Sequence, residues 1–106
     1  MHWEALFRVG GSPGTVAPID VATVPVQGGA RSLLASWQVQ PGSLPVALDA
    51  GTVRVLDPEG EEPTSEPSGS NAVIYAGLYE GDYRVRWVPQ TARLMDTIAV
   101  KIRVEY

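Results

Sequence analysis

Asp57, Glu59 and Glu61 stand at the one-three-five spacing with which a calcium loop presents its first oxygen ligands. The rest of such a loop is missing. Its sixth position is Glu62, where the sharp turn needs glycine, and its twelfth is Ser68, where a bidentate glutamate would close the coordination shell. A solvated acidic turn accounts for the same residues. His2 is the sole histidine, so a Ser-His-Asp arrangement would have to be built around a side chain in the N-terminal segment. Cysteine is absent, which removes thiol nucleophiles, thiolate zinc sites, iron–sulfur clusters and disulfides together. Gly10-Gly11-Ser12-Pro13-Gly14 is glycine-rich but has neither the lysine nor the following helix of a phosphate loop, and it suits a flexible connection. A glycosidase-like carboxylate pair stays open, since any two of the twelve acidic residues could meet in space, yet nothing singles out a pair. These residues predict no metal, no cofactor and no catalytic centre, so a non-enzymatic protein is expected.

The elements that hold these residues follow from length and pattern. At 106 residues, with 44% hydrophobic content, the chain suits one domain with enough apolar area to fold without staples. A net charge of -4 and a pI near 4.8 argue against nucleic acid, whose binders usually carry a strongly basic surface. No stretch approaches the roughly 18 apolar residues needed to span a bilayer, so no membrane is expected. The start, Met1-His2-Trp3-Glu4, lacks the features of an export signal.

The dominant period is two. From Arg31 to Val39, Leu33, Ala35, Trp37 and Val39 share one parity, against Ser32, Ser36 and Gln38, with Leu34 the one misfit. Gly51 to Leu56 sets Val53 and Val55 against Thr52 and Arg54, and Asp82 to Val88 sets Tyr83, Val85 and Trp87 against Arg84 and Arg86. Asn71 to Tyr79 is apolar on both faces. The last strand alternates Ile98, Val100, Ile102, Val104 and Tyr106 with Thr97, Ala99, Lys101, Arg103 and Glu105. One inner layer of Leu33, Trp37, Val53, Val55, Ile74, Tyr83, Val85, Trp87, Val100 and Ile102 is predicted.

Nine prolines leave little room for helix, apart from one turn at Gln90 to Met95. Asp57-Pro58-Glu59-Gly60 has the preferences of a type I turn, and a hairpin is expected there. Glu61 to Ser70, polar and rich in Pro and Ser, predicts an exposed loop. Pro25 makes Ile19 to Val26 an edge strand, since proline cannot donate to a sheet ladder. Six to seven short strands with regular turns predict an all-β sandwich, residues 15–106, preceded by an N-terminal arm, residues 1–14.

Gly81-Asp82-Tyr83-Arg84-Val85 resembles the Gly-x-Tyr start of the sixth strand of immunoglobulin-like β-sandwiches, in which the tyrosine hydroxyl bonds to the preceding corner. Val85 stands where antibody domains have cysteine, and Tyr79 where an aspartate usually precedes the glycine. The chain is therefore similar to the cysteine-free bacterial and viral branches. Its order of strands, with Asp-Pro-x-Gly after one and Gly-x-Tyr opening another, resembles small bacteriophage neck, tail and accessory virion proteins over about residues 31 to 106. That resemblance implies a non-enzymatic virion component, assembled in the host cytoplasm. It would self-associate as a ring or other symmetric homo-oligomer and dock to other virion proteins. Because these are fold motifs, a carbohydrate- or cell-surface-binding module is the alternative.

The aromatics and charges bear on both functions. Trp37 and Trp87 share parity with aliphatic neighbours, which assigns them to the core and leaves a sugar-stacking platform as the other possibility. Trp3, Leu6 and Phe7 form an apolar cluster in the N-terminal segment that either folds back on the sandwich or docks on a neighbour. If the immunoglobulin order puts strands 51–56, 82–88 and 97–106 in one sheet, Arg54, Arg84, Arg86, Lys101 and Arg103 share one solvent face. Glu59, Glu61 and Glu62 concentrate acid beside the turn, and acid meeting base suits a contact between successive copies. Ordinary solvated charge is the competing explanation.

Overall fold

The computed structural model describes residues 1–9, 17–40, 51–89 and 97–106. Within them the chain forms eight strands and no helix: β1 (His2–Val9), β2 (Ile19–Val26), β3 (Ser32–Gln40), β4 (Gly51–Leu56), β5 (Ser65–Pro67), β6 (Ala72–Tyr75), β7 (Gly81–Pro89) and β8 (Thr97–Glu105). They build a β-sandwich of two antiparallel sheets, ordered β1-β8-β3-β6-β5 and β2-β7-β4. The helical turn expected at Gln90 to Met95 and the glycine-rich Gly10 to Gly14 lie outside the described residues.

Alternation decides what each strand buries. On β8, Ile98, Val100, Ile102 and Val104 are fully buried, and on β7 so are Tyr83, Val85 and Trp87. β3 contributes Leu33, Ala35 and Trp37, while β4 contributes Val53 and Val55. Apolar side chains of this size contribute about 1.5–3 kcal/mol each on burial, so the layer between the sheets is the main source of stability. Trp37 from one sheet and Trp87 from the other meet edge-on, centroids 6.5 Å apart at 67°, a geometry that joins the two sheets at the core. The predicted inner layer is observed with one correction. Ile74 faces outward, because Tyr75 and Val73 carry the inward parity of β6, opposite Leu33 and Ala35 of β3.

Three further expectations are corrected. Residues 2–9 are strand β1, not an arm, with all eight residues paired to β8. Its inward positions Trp3 and Phe7 pack on the core and Val9 belongs to it. The segment after the acidic turn holds β5, three residues paired to β6, so β4 leads into the other sheet and not into a hairpin. Finally, strands 51–56, 81–89 and 97–105 do not share a sheet. β8 lies between β1 and β3, and the place beside β7 is taken by β2.

Local chemistry fits the connections. Asp57 closes the expected turn, its carbonyl accepting from Gly60 N–H at 2.9 Å, and Gly60 has a φ of 84°. Asn71, the chain's one asparagine, adopts φ 57° in the β5–β6 connection, a left-handed conformation that asparagine tolerates better than most residues. Gly51 opens β4 at φ 153°, where an added Cβ would run into the Val88 carbonyl oxygen and lie 2.9 Å from both Pro89 Cα and the Trp87 ring. β2 is an edge strand, as Pro25 requires, and is bulged between Asp20 and Ala22.

Candidate functional site

The outer face of the three-stranded sheet holds Arg54, Arg84 and Arg86, placed there by the alternation that buries Val53, Val55, Val85 and Trp87. Arg54 and Arg86 are direct cross-strand partners, an opposition of like charges that destabilises unless each is neutralised. Each has its own carboxylate. Arg86 Nε bonds Asp20 Oδ1 at 2.8 Å, and Arg54 Nη1 lies 3.9 Å from Glu62 Oε2. Arg84, between Thr23 and Leu56 in register, has no ion-pair partner among the described residues.

Lys101 and Arg103 stand on the opposite side of the sandwich, on the outer face of the five-stranded sheet, because β8 belongs there. Lys101 Nζ bonds Glu4 Oε1 at 2.9 Å, His2 Nε2 lies 3.2 Å from Glu4 Oε2, and Arg103 Nε pairs with Glu105. The Lys101 hydrogen bond, which outweighs the effect of burial, holds the Glu4 carboxyl below the usual carboxylate range, and the charges of Arg103 and His2 push the same way. The five cations expected on one face are therefore split three and two, four of them in ion pairs within the chain.

The acidic turn is built by backbone. Asp57 Oδ1 accepts the N–H groups of both Glu59 and Glu61 at 2.9 Å, which places the Glu59 and Glu61 side chains outside the turn in solvent. Among the described residues no group of three acidic or histidine side chains is placed to hold a metal ion. Glu62 is instead drawn to Arg54 and Tyr75. The Tyr75 hydroxyl accepts from Val55 N–H at 3.1 Å and donates to Glu62 Oε1 at 3.2 Å, tying β6 of one sheet to the open edge of β4 in the other. Burial pushes the phenol up to about 12, with the negative charge of Glu62 adding to the rise.

Tyr83 behaves as the Gly-x-Tyr motif implied. Its hydroxyl accepts from Tyr79 N–H and donates to the Tyr79 carbonyl, both at 2.9 Å, closing the corner before β7. Tyr79 itself is 43% exposed, with its phenol raised by burial and by the nearby charges of Asp57 and Glu59.

The apolar candidates separate by parity. Trp3 and Phe7 point inward against the core, whereas Leu6 points outward and is 58% exposed. Trp37 and Trp87 are core residues, 9% and 1% exposed. The outer face of the five-stranded sheet also holds a feature the charges concealed. Leu34 of β3 lies directly across from Ile74 of β6, with Ala72 and Leu6 on the same face. Beside them a shallow depression of about 360 Å³ has Leu6, Ser36, Trp37, Gln38, Asn71 and Lys101 among its lining residues. The sequence signal for this strip was Leu34, the one residue out of step with its strand.

No protein-family model matches the chain, and a sequence search of curated proteins returns no match.

Proposed function

We propose that this protein is a non-enzymatic structural component that works by self-association and by docking to other proteins of a particle, of the kind built by bacteriophage necks, tails and capsid surfaces. The virion assignment rests on the likeness of the Asp-Pro-x-Gly and Gly-x-Tyr strands to small immunoglobulin-like virion proteins, and on no other relationship. The observation that carries the docking function is the Leu34–Ile74 pair on a sheet face that alternation would otherwise make polar. Half-buried aliphatic side chains side by side on an outer face, extended by Ala72 and edged by Lys101 and Arg103 of β8 and by Glu66 of β5, make an apolar centre with a polar rim. That is the composition of a protein-binding patch. The buried positions of Trp37 and Trp87 weigh against the carbohydrate-binding alternative.

Substituting both Leu34→Lys and Ile74→Lys leaves the core untouched, because both side chains point away from it. The variant is expected to fold cooperatively, with a melting temperature lowered because the two introduced lysines face each other and one faces Arg103, but to remain in the supernatant when co-expressed with neighbouring gene products, under conditions in which the wild-type chain sediments with them. A double variant that sediments as wild type would remove the patch from docking.

A further inference from the structure

Among the described residues the two sheets leave four strand edges open, and three are blunted. β2 carries Pro25 and a bulge, β5 is three residues long, and β4 has its Val55 N–H occupied by the Tyr75 hydroxyl. β1 is different: eight residues without proline, glycine or bulge, paired to β8 on one side and to no strand among the described residues on the other. The Met1 carbonyl accepts from Tyr106 N–H at 3.0 Å, so odd positions of β1 direct their backbone groups to β8. By alternation, His2, Glu4, Leu6 and Arg8 direct theirs to the open edge. Unpaired ladders of this length are templates for another strand.

We propose that β1 pairs antiparallel with β1 of a second copy of this chain, about a two-fold axis at Leu6, joining two five-stranded sheets into one. This deepens the proposed self-association by naming its surface. The side chains select both partner and register. With Leu6 opposite Leu6, Glu4 of each copy lies opposite Arg8 of the other, giving two ion pairs related by the axis. Arg8 has no ion-pair partner within the chain among the described residues, and Leu6, 58% exposed, is the most exposed large hydrophobic side chain of the described strand residues. On the inner face Ala5 meets Phe7, and Trp3 meets Val9, small against large each time. An axis at Glu4 or at Arg8 would oppose like charges, and an axis at Ala5 or Phe7 would set Leu6 against Glu4 or Arg8 and lose both ion pairs. The even positions face each other in the preferred register, so the Glu4, Leu6 and Arg8 backbone groups would all enter the new ladder.

Light scattering on the full chain is expected to give twice the 11.3 kDa monomer mass at high micromolar concentration. Arg8→Glu opposes two pairs of carboxylates, and Glu4→Arg two pairs of guanidinium groups while also removing the partner of Lys101 within each chain; each alone is expected to weaken association about tenfold or more, with Arg8→Glu, which breaks no ion pair within the chain among the described residues, the cleaner of the two. Mixed in equal amounts, the two variants regain the pairing, since every contact across the heterodimer joins opposite charges, and the dimer mass should return. Amide exchange of the wild type provides a readout free of any substitution: Glu4, Leu6 and Arg8 amides gain protection as concentration rises. A monomeric wild type, an Arg8→Glu protein that dimerises as tightly as wild type, or exchange at these three amides that ignores concentration would each overturn the edge pairing. A monomeric wild type that still sediments with its neighbouring gene products overturns the dimer while leaving the docking function standing. A dimer lost in Leu34→Lys/Ile74→Lys but kept in Arg8→Glu moves self-association to the sheet face.

Discussion

Val85→Asp should yield a chain with no cooperative thermal transition at neutral pH. Val85 is fully buried at the centre of β7, the middle strand of its sheet, with Ala22 and Val55 on either side. Its side chain faces the apolar layer supplied by the other sheet, where no cation is within the core. A carboxylate placed there loses its hydration without gaining a partner, which costs several kcal/mol, in addition to about 2 kcal/mol of lost valine burial. Domains of this size have about 5–15 kcal/mol of total stability, so the substitution removes most or all of it. Circular dichroism through a thermal ramp reads the result. A soluble variant that melts sharply near the wild-type temperature would show that β7 does not run through the core.

Tyr75→Phe is expected to fold but to lose about 1–3 kcal/mol, because the Val55 N–H is left without its acceptor in a buried position and Glu62 without its donor. The pH dependence separates this hydroxyl from a packing effect. In the unfolded chain the phenol ionises near 10.0, and in the folded protein at about 12. Between those values the unfolded state has lost a proton that the folded state keeps. Stability is therefore complete below pH 10 and falls as pH rises toward 12. Denaturant unfolding across that window should show a shallower alkaline decline in Tyr75→Phe than in wild type, with part of the slope left to Tyr79, which is also raised. An unchanged midpoint at neutral pH, together with an unchanged alkaline slope, would mean that Tyr75 does not hold the two sheets together.

Local patterns were readable in proportion to how local their cause is. Alternation in β3, β4, β7 and β8 identified nearly every buried residue, since parity alone decides which face a side chain takes. Asp57 to Gly60 and Tyr83 were legible because a turn or corner needs particular residue types at fixed offsets. β5 left no signal, as its three exposed residues are held by backbone pairing to β6 alone. β6 was ambiguous because Val73, Ile74 and Tyr75 are apolar on both faces, and what decides the inward side is Tyr75 reaching Val55 and Glu62 across the sandwich. Strand neighbours lay beyond the sequence entirely. The pattern of β8 is the same whether it sits beside β7 or beside β1 and β3, so Lys101 and Arg103 were placed with Arg54 when their sheet partner is Glu4. β1 was within reach: Trp3, Ala5, Phe7 and Val9 alternate with His2, Glu4, Leu6 and Arg8, a period masked by the glycine-rich stretch that follows.

That this domain works by association is tested most directly by the mass of the native chain, measured alone and again after co-expression with its neighbouring gene products. The expected result is a dimer by itself and recovery in a much larger complex with those products. A chain that stays at 11.3 kDa in both measurements would contradict it.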